Sequence, residues 1–207
     1  MYQPAAFRET RSERIDDLLR AYPLAALTVA DGQGFAVDHV PLLRSGEVLR
    51  GHVARANPLA QRDDAAVVAV FQGPQAYVSP SWYPSKHETG REVPTWNYAV
   101  VHVHGRLRTT ADPRWLRALL TELTDWHEAG QPQPWSIDDA PADHTERLLG
   151  AITGVEIAIE RIEAKFKLSQ NHPPANRLGV VEGLRRRDRA GDAELAAWMA
   201  RIEESRT

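Results

Sequence analysis

Residues 71–105 read FQGPQAYVSPSWYPSKHETGREVPTWNYAVVHVHG, two apolar runs whose ends carry aromatic and polar side chains. Two of the six tryptophans, Trp82 and Trp96, fall in proline-containing connections beside these runs. Tryptophan and tyrosine rings can stack on a planar ligand, while neighbouring hydroxyl and amide groups can hydrogen-bond to its edges. The alternative is structural, since large amphipathic rings also close the ends of barrels at half-buried positions.

Length and composition are those of an ordinary globular protein. The 207 residues, 43% hydrophobic and 26% charged, suffice for one domain with a sizeable core. A net charge of -3 gives no global field that would attract nucleic acid or an anionic membrane. The absence of cysteine excludes disulfides, thiolate metal sites and cysteine nucleophiles. Neither a signal peptide nor a membrane-spanning run is recognisable, so we expect a cytoplasmic protein.

Hydrophobic patterning in the first third of the chain predicts one helix and several short strands. Ser12 can cap a helix over residues 12–21, which Pro23 ends. The predicted strands are residues 24–29, 35–43, 47–53 and 65–71. Residues 31–34 are a predicted turn, and residues 44–46 would join the second and third strands in a hairpin. The strand over residues 65–71 is an unbroken apolar run, so both of its faces should be covered.

The remainder alternates between long strands and helices. Residues 97–108 alternate apolar and polar side chains, which is typical of a strand, and residues 113–129 have helical spacing. Residues 155–168 predict a long strand whose apolar positions change parity, which indicates a β-bulge or bend around residues 160–161. From Pro174 onward the chain is predicted to be helical, with the arginine-rich residues 185–189 between two helices.

Many short strands with few helices between them favour a mainly β (α+β) fold, an antiparallel barrel rather than a doubly wound sheet. Strands that are apolar on both faces call for a cover on the outside, and a second copy of the chain would supply it. We therefore predict a homodimer. The predicted domains are a barrel over residues 1–171 and a helical C-terminal extension over residues 172–207.

Residues 51–58, GHVARANP, combine the parts of an anion site at the end of a strand. Arg55 offers a planar donor fork that matches phosphate oxygens, and a helix start offers free backbone N–H groups. The alternative is a plain strand-to-helix turn in which Asn57 caps the helix before Pro58. Both interpretations stay open on the sequence alone.

Residues 165–171, KFKLSQN, place Lys165 and Lys167 on one strand face and three hydrogen-bonding side chains directly after them. Such lysines are commonly solvent contacts, and Ser-Gln-Asn can also form a turn. His102 and His104 share a face, but the sequence shows no third ligand with convincing spacing, so a structural or interface role is favoured over a metal site.

Several catalytic and binding classes are disfavoured by missing motifs. There is no Gly-x-Ser-x-Gly elbow for a hydrolase, no Gly-x-Gly-x-x-Gly pattern and no P-loop. The arginine run at residues 185–189 would suit an acidic partner, although such runs are usually solvated and acidic residues dilute this one. No helix-turn-helix pattern is recognisable in the C-terminal segment.

Together these segments resemble the PaiB family, the FMN-binding negative transcriptional regulators. The motifs that carry the resemblance are MYxPxxF at 1–7, HVPLL at 39–43, GHVARANP at 51–58, FxGPxAYVSPSWY at 71–83, VPTWNYxxVHVHG at 93–105 and KxKLSQN at 165–171. The resemblance implies an FMN-binding split β-barrel with flanking helices, related to pyridoxamine-phosphate-oxidase-like proteins. It also implies a homodimer with flavin at the subunit interface, and repression of sporulation and protease genes.

The resemblance implies a division of labour among the cofactor-binding residues. The phosphate would lie at His52, Arg55, Ala56 and Asn57. The isoalloxazine would be lined by Tyr77, Ser79, Ser81, Trp82, Thr95, Trp96 and Asn97. The segment of Lys167, Ser169, Gln170 and Asn171 would reach the flavin, in one arrangement from the other subunit. No metal is implied.

Three functions remain open on the sequence. The first is an FMN-binding transcriptional regulator, acting directly on DNA or through a DNA-binding partner. The second is an FMN-dependent oxidoreductase of the pyridoxamine-phosphate-oxidase-like class that acts on a small substrate. The third is a barrel that holds another planar ligand, such as haem. Because the flavin itself carries hydride chemistry, the missing catalytic motif does not separate the first two.

Overall fold

A computed structural model of the chain describes residues 1–30 and 34–204. Within these residues the chain forms eight β-strands and six α-helices, with four short 3-10 turns. The strands are β1 (Arg8–Glu9), β2 (Leu24–Ala30), β3 (Phe35–Pro41), β4 (Leu43–Ser45), β5 (Val48–Ala54), β6 (Ala66–Val78), β7 (Thr95–Thr110) and β8 (Ile152–Lys167). The helices are α1 (Ser12–Ala21), α2 (Pro84–Thr89), α3 (Pro113–Glu128), α4 (Ala142–Leu149), α5 (Pro174–Arg187) and α6 (Asp192–Glu204).

The strands form one sheet in the order β3-β2-β6-β7-β8-β5-β4, and β1 pairs with β8. The pairings whose registers are defined, including β2 with β3 and β5 with β8, are antiparallel. An antiparallel sheet with helices beside it is what the strand-rich patterning predicted. No helix among the described residues is long and apolar enough to cross a membrane.

The chain divides into two compact units, each with its own core. Unit 1 comprises Met1–Leu18, Gln72–Val101 and the chain from Glu163 onward; unit 2 comprises Leu19–Phe71 and His102–Ile162. The predicted domain boundary at residue 171 follows a different criterion and stays a prediction.

Unit 2 holds the hairpin of β2 and β3 and the pairing of β5 with both β4 and the first half of β8. Gly51 and Gly105 let strands pass closely: a Cβ at Gly105 would lie 2.1 Å from the Ala158 carbonyl oxygen. Any side chain at this position would force the strands apart.

Unit 1 packs the end of β8 against the two C-terminal helices. The Phe166 ring meets the Trp198 ring edge-on at 5.7 Å between centroids, and both side chains are buried. Helices α5 and α6 pack against each other, joined by a short turn in which Asp188 has a φ of 50°. Three arginines of the predicted inter-helix run, residues 185–187, therefore belong to the last turn of α5.

Local patterning predicted most elements within a few residues. The helix over Ser12–Ala21 is confirmed, as is the alternation along β7. The predicted hairpin of residues 35–43 with 47–53 is wrong in its strand pairing: β3 ends at Pro41 and pairs with β2, and a separate hairpin joins β4 to β5. The Leu42 N–H donates to the Pro23 carbonyl at 2.9 Å, which breaks the strand there. The turn predicted at residues 31–34 lies largely outside the described residues.

Strand β6 is longer than predicted, and β8 shows the predicted change of buried face. Strand β6 continues past its predicted end at residue 71 to Val78, and within the added part a Cβ at Gly73 would lie 3.0 Å from Leu18 and 3.2 Å from the Ala99 carbonyl oxygen. In β8 the buried apolar positions change from Val155 and Ile157 to Ala164 and Phe166, as the parity change predicted. The bulge itself stays a prediction.

Candidate functional site

An exposed pair of aromatic rings lies where β6 ends and β7 begins. Tyr77 is 42% exposed and Trp96 is 49% exposed, although both belong to strands of the sheet. Their rings meet edge to face with centroids 6.3 Å apart and an interplanar angle of 67°. The Trp96 indole N–H donates to Gln75 Oε1 at 2.9 Å, which fixes the plane of the ring. A preformed, exposed aromatic corner of this kind suits a planar ligand.

Lys167 brings a positive charge to the same corner. Its ammonium donates to Thr95 Oγ1 at 2.5 Å and to the Trp96 carbonyl oxygen at 2.6 Å. Burial lowers the pKa of the Lys167 ammonium, and the neighbouring Lys165 lowers it further. The structure thus brings together Thr95, Trp96 and Lys167, which lie about seventy residues apart in the chain.

Lys165 is a feature of this region that the sequence interpretation left as a solvent contact. It is only 9% exposed, and its ammonium lies 5.5 Å from the ring centroids of both Tyr2 and Tyr98. Two aromatic faces stabilise a partly desolvated ammonium by cation–π attraction. The MYxPxxF motif at the N-terminus was the available signal, because it supplies Tyr2.

Three of the predicted flavin-binding residues make hydrogen bonds at the end of β8. Asn97 is fully buried and donates through Nδ2 to Ser169 Oγ at 2.9 Å, while its Oδ1 has no hydrogen-bond partner among the described residues. Ser169 is 3% exposed and has a φ of 64°, so the chain turns sharply at this point. Gln170 closes that turn, accepting from the Leu168 N–H at 2.7 Å and donating to the Phe166 carbonyl. Asn171 is exposed. In this arrangement the first three organise the strand end.

Trp82 is packed against helix α5. A Cβ at Gly183 would lie 2.3 Å from the indole of Trp82, so only a glycine allows the helix to approach this ring. Ser79 caps the 3-10 turn that carries Trp82 by accepting from the Ser81 N–H at 3.3 Å, and Ser81 accepts from the ammonium of Lys86 at 3.0 Å. Trp82 therefore makes packing contacts within the fold, whereas the Trp96 ring is exposed.

The predicted phosphate segment lies in unit 2. Arg55 is exposed at the end of β5, and its guanidinium has no hydrogen bond or ion pair with any described residue. His52 is half-buried, its Nδ1 lacks a hydrogen-bond partner among the described residues, and burial lowers its pKa. Ala56 is exposed.

Asn57 has the capping role that was the alternative to phosphate binding. Its Oδ1 accepts from the Leu59 N–H at 2.8 Å, at the start of the 3-10 turn Pro58–Gln61. Its Nδ2 donates to Asp38 Oδ1 at 2.8 Å. With both ends of its amide occupied, Asn57 supports the turn that follows Arg55.

His102 and His104 lie side by side on β7, half-buried, with ring centroids 6.5 Å apart. Their role stays a prediction.

Comparison with known proteins identifies the family. Residues 1–161 match the family model described as "Putative FMN-binding domain". The chain belongs to this family. The predicted cofactor, FMN, is confirmed by that match. The family match ends before the KxKLSQN segment. The contacts of Lys167 with Thr95 and Trp96 are therefore known from the structure of this chain.

Curated relatives extend over nearly the whole chain. "Protease synthase and sporulation protein PAI 2" of Bacillus subtilis is 29% identical over 205 residues, covering 96% of each chain. The uncharacterized protein AN0679 of Emericella nidulans is 32% identical over 225 residues, covering 88% of this chain and 90% of its own. The resemblance to the PaiB family is confirmed by the first of these matches.

Among solved structures, the FAD and heme binding protein from Mycobacterium smegmatis superposes with a TM-score of 0.63 and 19% identity. The match covers 83% of this chain and 78% of the other. The conserved hypothetical protein Rv2991 from Mycobacterium tuberculosis gives a TM-score of 0.60 at 12% identity, over 84% and 94% of the two chains. At these identities the likeness concerns the fold, and the predicted split-barrel class is confirmed.

Proposed function

We propose that this chain is an FMN-binding regulator of the PaiB type that lowers transcription of its target genes. The observation that carries flavin binding is the exposed Tyr77–Trp96 corner beside the Lys167 ammonium. It provides ring faces for stacking and a cation for the electron-rich edge of a flavin.

Two side chains that lack a hydrogen-bond partner among the described residues fit an anionic flavin. Arg55 has an exposed guanidinium without a partner among the described residues, and His52 has a buried ring nitrogen without one. A phosphate would supply acceptors for Arg55, since a guanidinium fork matches two phosphate oxygens. In this proposal unit 2 supplies the phosphate-binding side chains, Arg55 and His52, and unit 1 supplies the ring-binding side chains, Tyr77, Trp96 and Lys167.

The other predicted residues are proposed to act indirectly. Asn57 supports the phosphate turn, and Ser79 and Ser81 hold the turn that carries Trp82. Asn97, Ser169 and Gln170 fix the end of β8 after Lys167. Ala56 and Asn171 remain exposed beside these elements, where a ligand can reach them.

We further propose that the chain acts as a homodimer through the outer face of the sheet in unit 2. Phe35 is 78% exposed and Val37 is 53% exposed, and Val37 lies across from Thr28, which itself lies across from Val68. A groove of about 470 Å³ runs along this face. Contiguous apolar surface of this kind marks an interface, and a second copy would present the same strip.

The regulatory part of the proposal is supported by the Bacillus subtilis relative, whose name refers to protease synthesis and sporulation. Any direct DNA contact would fall to Arg185, Arg186 and Arg189, which are exposed. Arg187 is not included among the proposed DNA contacts, because it forms an ion pair with the buried Asp192.

The decisive first experiment is the absorption spectrum of the purified protein, followed by titration with FMN. Bound flavin would give a shifted and structured visible band. A protein that neither carries flavin nor binds added FMN would refute the cofactor assignment in this proposal.

The regulatory role is tested by DNA binding with the flavin-loaded protein. Changing Arg185, Arg186 and Arg189 to Ala should weaken binding similarly for all DNA sequences and reduce its salt dependence, because phosphate contacts carry no sequence information. Loss restricted to one sequence would contradict this assignment of the arginines.

The second candidate is an FMN-dependent oxidoreductase acting on a small substrate. The observation that favours it is the exposure of Trp96 and Tyr77, which leaves room for a second molecule beside the ring. FMN supplies hydride and single-electron chemistry when bound. NAD(P)H oxidation that requires added FMN, with no effect of the protein on any promoter DNA, would favour the enzyme over the regulator.

A further inference from the structure

One arginine of the C-terminal helices is held on three sides. Arg187, the last residue of α5, donates to the Asp192 carboxylate from Nε at 2.7 Å and from Nη2 at 2.5 Å. Its Nη1 donates to the Tyr77 carbonyl oxygen at 2.9 Å, and its guanidinium carbon lies 4.9 Å from the Trp82 ring centroid. Arg187 thus contacts two residues of the predicted ring-binding set.

The acidic partner of this arginine is fixed in place. Asp192 is 1% exposed, at the first residue of α6. The hydrogen bonds from Arg187 hold the pKa of its carboxyl below the usual range, so it is ionised at neutral pH. Because a buried carboxylate without its cation would be costly, Arg187 has little freedom to move.

The hydrogen bond from Arg187 Nη1 to the Tyr77 carbonyl oxygen connects helix α5 to the aromatic corner of Tyr77 and Trp96. It fixes the main chain of Tyr77 near the end of β6, and the Tyr77 ring contacts Trp96. Trp96 is in turn held by Gln75, two residues before Tyr77 on the same strand. A shift of the Tyr77 main chain would therefore change the angle between the two exposed rings.

We propose that Arg187 is a positioning residue for the flavin ring, which makes the C-terminal helices a working part of the flavin site. This inference rests on the proposed function, since it concerns the ring-binding corner described there. Both helices lie beyond residue 161, where the family match ends. The alternative is a purely structural role, in which Arg187 only joins α5 to α6.

The chain contains a matched control for that alternative. Arg177 and Glu203 form a second two-pronged arginine–carboxylate pair between the same two helices, at the opposite end. Glu203→Ala removes this pair and serves as the comparison for stability.

The experiment titrates FMN and riboflavin into the full-length wild type and each variant, and records the visible circular dichroism of the bound flavin. Arg187→Ala should raise the Kd of both flavins to a similar extent, on the order of tenfold, the worth of one charge-assisted hydrogen bond. It should also change the visible circular dichroism, because the rings beside the flavin are reoriented. Glu203→Ala should match the wild type in both measurements.

Each result has a distinct meaning. Unchanged Kd values and an unchanged circular dichroism spectrum for Arg187→Ala would overturn the inference, as would equal losses in Glu203→Ala. Should Arg187→Ala not fold, Asp192→Asn decides, because it loosens the same guanidinium while keeping it in the chain. An altered flavin spectrum in Asp192→Asn supports the inference, and a wild-type spectrum with wild-type affinity overturns it. A wild type that binds neither flavin would instead refute the proposed function.

Discussion

Replacement of Arg55 by alanine separates phosphate binding from ring binding. Arg55 is exposed and its guanidinium has no partner among the described residues, so its removal should leave the stability of the protein unchanged. In the FMN complex it would form a charge-assisted, two-pronged contact with the phosphate. Riboflavin lacks the phosphate and would make no such contact.

The magnitude follows from the type of interaction. Hydrogen bonds to charged groups contribute about 1.5–3 kcal/mol. Arg55→Ala should therefore raise the Kd of FMN by about 10- to 150-fold. Exposure of the guanidinium to solvent and salt favours the lower part of that range. Riboflavin affinity should change much less.

The assay is quenching of flavin fluorescence on titration with wild type, Arg55→Ala and Arg114→Ala. Arg114 is the matched control, because it is another exposed arginine of unit 2. Equal losses of FMN and riboflavin affinity in Arg55→Ala would refute the reasoning and move the phosphate site elsewhere. Loss of FMN affinity in Arg114→Ala would show that general electrostatic attraction, rather than a built contact, is being measured.

Three further predictions concern stability and assembly. Burial alone would raise the pKa of Glu9, but hydrogen bonds from neighbouring arginines hold it at about 2 against an ordinary 4.5. The ionised Glu9 should therefore contribute about 3 kcal/mol to the unfolding free energy above pH 4.5, and this contribution should be lost as the pH falls through 2. The difference in unfolding free energy between wild type and Glu9→Gln should shrink over that window. Gly183→Ala should lower the unfolding free energy by about 1–3 kcal/mol through overpacking, whereas Gly130→Ala, with open space around its Cβ, should not. Phe35→Asp should shift the protein to monomer in size-exclusion chromatography with light scattering and weaken FMN binding, while Leu148→Asp, another exposed apolar position, should do neither. The reason for the weaker FMN binding is the subunit-interface location of the flavin that the family resemblance implies, and a Phe35→Asp monomer that binds FMN at full strength would contradict that location.

Periodic features of the sequence predicted the fold well because they depend on local spacing. The alternation along residues 97–108 corresponds to the buried and half-exposed faces of β7, and the helix at Ser12–Ala21 has the predicted bounds. The register of the hairpin after β3 was not predictable in this way. It depends on the bond from the Leu42 N–H to Pro23, and the sequence pattern does not reveal that partner.

The structure brings two of the predicted site segments together, whereas the contacts of their individual residues were less predictable. The Thr95–Lys167 contact joins two segments that the family resemblance had placed together at the flavin. The inward orientation of Ser169 was not foreseeable, since it depends on a left-handed turn at a residue other than glycine. Lys165 was misjudged for a related reason, because its burial depends on Tyr2 at the far end of the chain.

A pair of glycines in α5 was the sequence signal that distinguishes Trp82 from Trp96. Both follow prolines in similar polar surroundings, yet Trp82 packs on α5 while Trp96 is exposed. Gly179 and Gly183 lie one helical turn apart in α5, and each glycine costs a helix about 1 kcal/mol relative to alanine. Two such costs on one helix face indicate that something must approach the backbone closely, and the structure shows that this is the Trp82 turn. We therefore propose that Trp82 supports the site from behind, and that Trp96 is the tryptophan of this stretch that contacts the flavin.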